Sequence, residues 1–163
     1  IIPKMLADKA RLYSYAFDGY WKDVGTIESL WQANMDLLQD KPPFELDGDW
    51  KVYSSNPSMP PHYVGDDAVI DCSMVSEGSM ILGDVENSVI FPGVRIGKGA
   101  KVRNSVIMPS TVVRENAVVD YAILAQNCEI GEGAKVTGEK GAITVVADGE
   151  TIVATAAGSK QAG

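Results

Sequence analysis

The stretches VENSVIFPGVRIGKGAK (Val85–Lys101), VRNSVIMPSTVVRENAV (Val102–Val118) and VDYAILAQNCEIGEGAK (Val119–Lys135) follow one another without a gap and align residue for residue. Each begins with Val, carries Ser or Ala at its fourth place, Ile or Leu at its sixth, Ile or Val at its twelfth and Ala at its sixteenth. The unit IDCSMVSEGSMILGD, starting at Ile70, shares the first half and is two residues shorter. Beneath this 17-residue repeat, almost every sixth residue from Val64 to Val136 is aliphatic or small. An α-helix cannot use a period of six, whereas flat strands joined by corners can. The spacing therefore predicts a parallel β-helix in which one unit makes one triangular coil.

Equivalent places on successive coils should lie about 4.8 Å apart, the spacing of paired strands, so that like residues stack into ladders. Aliphatics fill the prism, Ala and Ser take tight corners, and Gly97, Gly99, Gly131 and Gly133 suit turns that need positive φ. A strict count of sixes places Val94, Ala100, Val106, Val112, Val118, Leu124, Ile130 and Val136 in one set. About four coils would make a prism of roughly 20 Å. Such a solenoid, expected over residues 64–153, leaves strand edges at both ends that have to be capped. The N-terminal segment can cover one end. For the other, Ala142–Val153 reads as a hairpin about Asp148-Gly149. Residues 154–163, rich in Ala and Gly, are expected to be disordered.

Upstream of the repeats, residues 44–63 break into turns at Asp47-Gly48-Asp49, Asn56-Pro57 and Pro60-Pro61, which reads as a linker with one short strand over Trp50–Tyr53. Residues 1–43 have another character. After a short helix or turn, Arg11–Phe17 alternates polar with apolar or aromatic residues and predicts a half-buried strand ended by Gly19. Thr26 can cap a helix with Glu28 in its first turn, Ile27, Leu30, Trp31, Met35 and Leu38 on one face, and Pro42-Pro43 as its stop. That face and the strand are expected to lack partners within this chain and to leave apolar surface exposed.

Composition narrows the function classes. With 14 Lys plus Arg against 22 Asp plus Glu, the net charge of −8 argues against wholesale binding of nucleic acid or anionic membrane. Any phosphate chemistry must use local cations. Cys72 and Cys128 form no C-x-x-C pair and have only His62 for company, which excludes a zinc framework and suggests a reducing cytoplasm. No apolar run approaches the roughly 20 residues needed to span a bilayer. The chain begins inside an element without an initiator Met, as a piece of a longer protein would. The segment Gly93–Gly99 lies in coil register and opens no helix, so it reads as corner structure rather than a phosphate cradle. Met74, Met80, Cys72 and Cys128, at repeat positions, read as core or corner residues.

Hexapeptide repeats of this kind resemble the left-handed β-helix, an exception to right-handed crossover. Two large groups carry it: acyltransferases and sugar-phosphate nucleotidyltransferases. The acyltransferases resemble one another in placing a general-base histidine on a coil. No histidine follows His62 here.

A further stretch, GYWKDVGT (Gly19–Thr26), sets two aromatics and an adjacent base and acid between two glycines. On residues alone, Trp21 packing in a core with Asp23 and Thr26 capping the helix is about as good a reading as an active site. Followed by IESLWQANMDLL, the stretch closely resembles the end of the catalytic domain of bacterial glucose-1-phosphate adenylyltransferases. The resemblance also takes in IIPKML at the start, the linker with Tyr53-Ser54 and Asn56-Pro57, and coils containing Asn104-Ser105-Val106-Ile107-Met108-Pro109, and it covers residues 1 to about 138.

What the resemblance implies is transfer of AMP from ATP to glucose 1-phosphate with release of pyrophosphate, Mg²⁺ as cofactor, in glycogen synthesis. Carried over by position, Asp23 is one of two catalytic aspartates that hold the metal, and Trp21 lies by the sugar-phosphate pocket. A carboxylate suits Mg²⁺, which prefers oxygen ligands and often takes one or two carboxylates plus phosphate oxygens. Lys22 is left without a role. The resemblance further implies a left-handed β-helix behind a remnant of an α/β nucleotidyltransferase domain, a cytoplasmic homotetramer, and allosteric control by a metabolite. Rival readings are a nucleotidyltransferase for another base or sugar, and a noncatalytic regulatory subunit. The family's glycine-rich loop ending in Thr-Arg-Leu has no counterpart in these 163 residues, so this chain alone is expected to be inactive.

Overall fold

The computed structural model describes residues 1–44, 46, 48, 53, 54 and 57–154. From Tyr63 to Ile152 the chain forms sixteen strands of two or three residues, arranged in three parallel sheets of six, five and five. The three sheets are the faces of a parallel β-helix. On the first face Val64, Ile81, Ile96, Val113, Ile130 and Ile152 stand in one ladder. On the second the ladder is Ile70, Val85, Val102, Val119 and Val136, and on the third Val75, Ile90, Ile107, Leu124 and Val146. From Ile81 to Ile130 these inward residues are essentially inaccessible to water and form one continuous core.

Successive core positions fall at Val85, Ile90, Ile96 and Val102, so a coil is made of steps of five, six and six. The strict sixfold count is therefore wrong by one residue per coil. Because side chains alternate along a strand, one residue of drift moves a position to the other side of the sheet. Val112 and Val118 accordingly lie outside the prism, only partly buried, and Val106 is buried by a different neighbour. Met74 and Met80 are likewise outward and exposed, while Cys72 takes an exposed corner and Cys128 is buried in the core.

The corners use two kinds of chemistry. Ala100, Ala117 and Ala134 are fully enclosed, and at a second corner Ser88 and Ser105 accept hydrogen bonds from the backbone N–H of Ser105 and Ala122 on the next coil, each 3.1 Å. Gly99 and Gly133 have positive φ, as the turn reading requires, but Gly97 and Gly131 do not. Gly97 is glycine for another reason: a Cβ there would sit 2.7 Å from the backbone nitrogen of Glu115 one coil on. Elsewhere Asn87, Asn104, Asn116 and Asn127 hold the left-handed corner conformation, which Asn adopts more readily than most residues.

Ala142–Val153 is not a hairpin. Thr144–Val146 pairs in parallel with Ala122–Leu124, and Thr151–Ile152 pairs in parallel with Glu129–Ile130. The segment makes two sides of a further coil, with Asp148-Gly149 at a corner. That coil is longer, 22 residues separating Leu124 from its partner Val146, and an antiparallel bridge between Glu139 and Ala142 takes up the excess. The expected strand at Trp50–Tyr53 falls largely, and the expected disordered tail wholly but for Ala154, outside the described residues.

Upstream, α1 spans Ile2–Ala7 and α2 spans Ile27–Met35, followed by one 3₁₀ turn over Asp36–Leu38. Between the helices Arg11–Phe17 is not a strand, and Tyr13, Tyr15 and Phe17 are exposed. Alternation alone cannot make a strand, because its backbone groups need a neighbouring strand to pair with. The Trp31 face of α2, by contrast, is covered except at Ile27, which stays exposed. It lies on the outer side of the third sheet, where Val89, Val106 and Ile123 project, and buries Trp31 and Met35 there. The Trp31 indole N–H donates to the carbonyl of Asn104 at 2.7 Å, and its ring lies 5.8 Å from that of Tyr121.

Candidate active site

The GYWKDVGT stretch leads into α2 without regular secondary structure of its own, and Thr26 ends it as an N-cap. Its Oγ1 accepts the Ser29 backbone N–H and Ser29 Oγ accepts that of Thr26, each at 3.1 Å, a reciprocal capping box. The expected cap is therefore present, with Glu28 in the first turn as expected and Ser29 as the second member of the box. Gly25 N–H donates to Asp23 Oδ1 at 3.1 Å, which turns the chain toward the helix.

Alternate residues of the stretch have opposite fates. Trp21, 76% exposed, and Asp23 are open to solvent, whereas Tyr20 and Lys22 are half-buried. Both of the latter reach Asp36, just beyond the end of α2. Tyr20 Oη donates to Asp36 Oδ2 at 2.9 Å and Lys22 Nζ to the same oxygen at 2.5 Å. On the other oxygen, Gln32 Nε2 donates at 2.9 Å and Gln39 Nε2 at 3.3 Å. Burial works to raise the pKa of the Asp36 carboxyl, but the hydrogen bonds from Lys22, Gln32 and Tyr20, with the Lys22 charge, outweigh it and hold it below the ordinary carboxylate value. The Tyr20 hydroxyl moves up, through burial and through the facing Asp36 charge. On its other side the Tyr20 ring meets Phe44 at 5.0 Å.

Trp21 and Asp23, singled out from the sequence, thus come two residues apart on one exposed edge. Lys22, left without a role, is half of a largely buried ion pair. The residues that sequence reading missed are Asp36, Tyr20, Gln32 and Gln39. A signal existed for part of this: Gln32 and Asp36 are neighbours one turn apart.

An exposed carboxylate suits a hard cation such as Mg²⁺, which keeps several waters and shares phosphate oxygens with the protein. Asp23 fits that requirement as a single donor. Among the described residues no three His, Cys, Asp or Glu side chains gather into a set able to hold a metal by themselves. Nor, among them, is any helix long and apolar enough to cross a membrane.

Repeating coils, a buried three-sided ladder and the helix clamped to it define the class. The chain belongs to the GlmU-like, C-terminal hexapeptide family, whose model matches residues 61–152, and residues 1–40 match the nucleotidyl transferase family. It is thus a hexapeptide β-helix preceded by a segment that matches the nucleotidyl transferase family. More particularly, nearly the whole chain is similar to the C-terminal portion of glucose-1-phosphate adenylyltransferases. The protein of that name from Desulforamulus reducens is 44% identical over 162 residues, 95% of this chain and 41% of its own length. That from Clostridium perfringens strain SM101 is 47% identical over 174 aligned residues, 99% of this chain and 40% of its own. That from Bacillus anthracis is 41% identical over 153 residues, 92% of this chain and 41% of its own. The chain therefore spans about two fifths of the length of these relatives.

Proposed function

We propose that the chain is the C-terminal part of an enzyme that transfers AMP from ATP to glucose 1-phosphate, releasing pyrophosphate, in the cytoplasmic route to glycogen. The observation that carries this reading is the exposed pair Trp21 and Asp23, set just before a capped and clamped helix in a chain whose relatives bear the adenylyltransferase name. Asp23 offers a carboxylate to Mg²⁺, which when bound would offset charge on the attacked phosphate and align the nucleophile. Trp21 offers a flat apolar wall to the sugar phosphate. Residues 1–43 belong to the catalytic domain in this reading, 44–63 to a linker, and the β-helix from Val64 serves homotetramer assembly and allosteric response. The 163 residues alone, without a nucleotide-binding loop, are inactive.

The test uses the protein extended upstream by its native sequence to the length of its relatives. Pyrophosphate release from ATP and glucose 1-phosphate is followed across Mg²⁺ concentrations, with other nucleoside triphosphates in parallel arms. Asp23→Asn should lower turnover at limiting Mg²⁺ by roughly 100-fold or more, since even an outer-shell partner of a metal ligand is worth about 10–100-fold. Near-wild-type turnover of the variant there would remove the metal role from Asp23. Preference for another triphosphate would replace the adenylyl assignment.

A further inference from the structure

The Asp36 cluster has no part in binding or chemistry as proposed above, yet it is the most polar enclosed spot in the N-terminal segment. Asp36 is 7% exposed, and its two carboxylate oxygens receive four side-chain donors. Two of these donors, Gln32 and Gln39, come from α2 and the turn beyond it, and fix the carboxylate relative to the helix. The other two, Tyr20 and Lys22, come from the stretch that precedes the helix. They are the residues on either side of Trp21, and Lys22 directly precedes Asp23. Trp21 lies between two gripped residues, and Asp23 lies between gripped Lys22 and the Thr26 cap, its own carboxylate accepting the Gly25 N–H, so the backbone at both positions is held from either side. The helix that carries the grip is itself held to the β-helix, by the Trp31 indole on the Asn104 carbonyl and by Met35 in the apolar contact. The corner at Asn104 is braced along the coils in turn. Asn87 Nδ2 donates to Asn104 Oδ1 at 2.8 Å, and Asn104 Nδ2 donates to Asp120 Oδ1 at 2.9 Å.

We propose that Asp36 is a positioning residue: through Tyr20 and Lys22 it holds Trp21 and Asp23 in place on a helix that Trp31 fastens to the β-helix. A continuous line of hydrogen bonds and packed side chains then runs from the corner ladder of the coils to the exposed carboxylate. Asp36 touches neither metal nor substrate and acts only through its donors. The consequence for catalysis rests on the adenylyltransferase reading, but the hold on the loop does not.

Two measurements separate these parts. In the ¹⁵N-labelled 163-residue chain, backbone order parameters at Trp21 and Asp23 should be near those of a rigid backbone, about 0.85, in the wild type. They should fall below about 0.6 in Asp36→Asn and in Lys22→Met, with amide shifts of the coils unchanged. Lys22→Met alters only the stretch before the helix, so loss of the helix cannot explain its effect, and Asp36→Glu should restore part of the order. In the upstream-extended enzyme, the same variants should raise the Mg²⁺ midpoint of activation roughly 10-fold, the scale of outer-ligand substitutions, while KM for ATP at saturating Mg²⁺ stays near wild type. The double variant should be no worse than the more damaging single one, since both break one hold. Unchanged order parameters in both variants would overturn the proposal. So would lost order with an unmoved Mg²⁺ midpoint. An extended wild-type enzyme without turnover would sink the adenylyltransferase reading instead, and the order parameters would still support or overturn the hold on the loop.

Discussion

Trp31→Ala should release α2 from the β-helix while the coils stay folded. Trp31 is 5% exposed and packs with Val89, Val106 and Ile123, so its truncation removes the largest side chain buried between the two parts. Truncating a buried aromatic to Ala costs about 3–5 kcal/mol, a range that includes the cavity left behind. The nine residues of α2 cannot make up the loss, because an isolated helix shorter than about 12–15 residues is marginal in water. Native-state amide exchange reads the effect directly. Protection of α2 amides, beginning with Leu30 N–H on the Thr26 carbonyl, should fall by two to about three and a half orders of magnitude, at 1.4 kcal/mol per decade. Coil amides of the second face, such as Lys101 N–H on Ala117 and Val118 N–H on Ala134, should keep their protection. Trp31→Phe should fall in between. It keeps most of the apolar contact but deprives the Asn104 carbonyl of its donor, for which about 1–3 kcal/mol is the expected cost. Unchanged α2 protection in Trp31→Ala would refute the claim that this face holds the helix. Equal loss in the coils would refute the claim that the β-helix stands independently of it.

Two glycines should separate contact from conformation. At Gly83 an added Cβ would sit 2.4 Å from the Ala100 carbonyl oxygen and 2.6 Å from that of Gly97, both backbone atoms of the next coil, so Gly83→Ala should depress the urea midpoint strongly. Gly133 has φ +66° with nothing near its would-be Cβ, so Gly133→Ala should show only the left-handed penalty of about 1–2 kcal/mol, and equal losses would undo the argument. For Asp36 the sign follows from a folded-state pKa below the unfolded one. Its contribution is complete above the unfolded value, about 3.9, and is lost as pH falls through the lower folded value. The difference in urea midpoint between wild type and Asp36→Asn should therefore be flat from pH 7 to about 5 and shrink below about 4. A difference that grows on acidification would contradict the bonding described.

Much of this architecture is written in local order. The 17-residue repeat determines the coil, since no other regular structure returns like residues to one line at that interval, and Thr26 announces the start of α2 because a cap is a matter of adjacent residues. The doubled aliphatics Val89-Ile90, Val106-Ile107 and Ile123-Leu124 cover both sides of one sheet, but the count of sixes sets Val106 inside the prism and leaves that outer side to the structure. The motif around Trp21 and Asp23 stood out for the same reason, as residue types at fixed short spacing.

What only the tertiary structure decided was pairing over distance. Alternation at Arg11–Phe17 looked like a strand and found no neighbour to bond with. Ala142–Val153 looked like a hairpin and instead paired in parallel with the preceding coil, where ready edges lay beneath it. Trp31 found its cover across 73 residues, at Asn104, and Lys22 acquired a role only when the turn after α2 brought Asp36 beneath it. Periodicity reports which side of an element is apolar or polar. Which surface that side meets depends on the whole chain closing at once, and for this protein that closure mounts an exposed carboxylate on a solenoid.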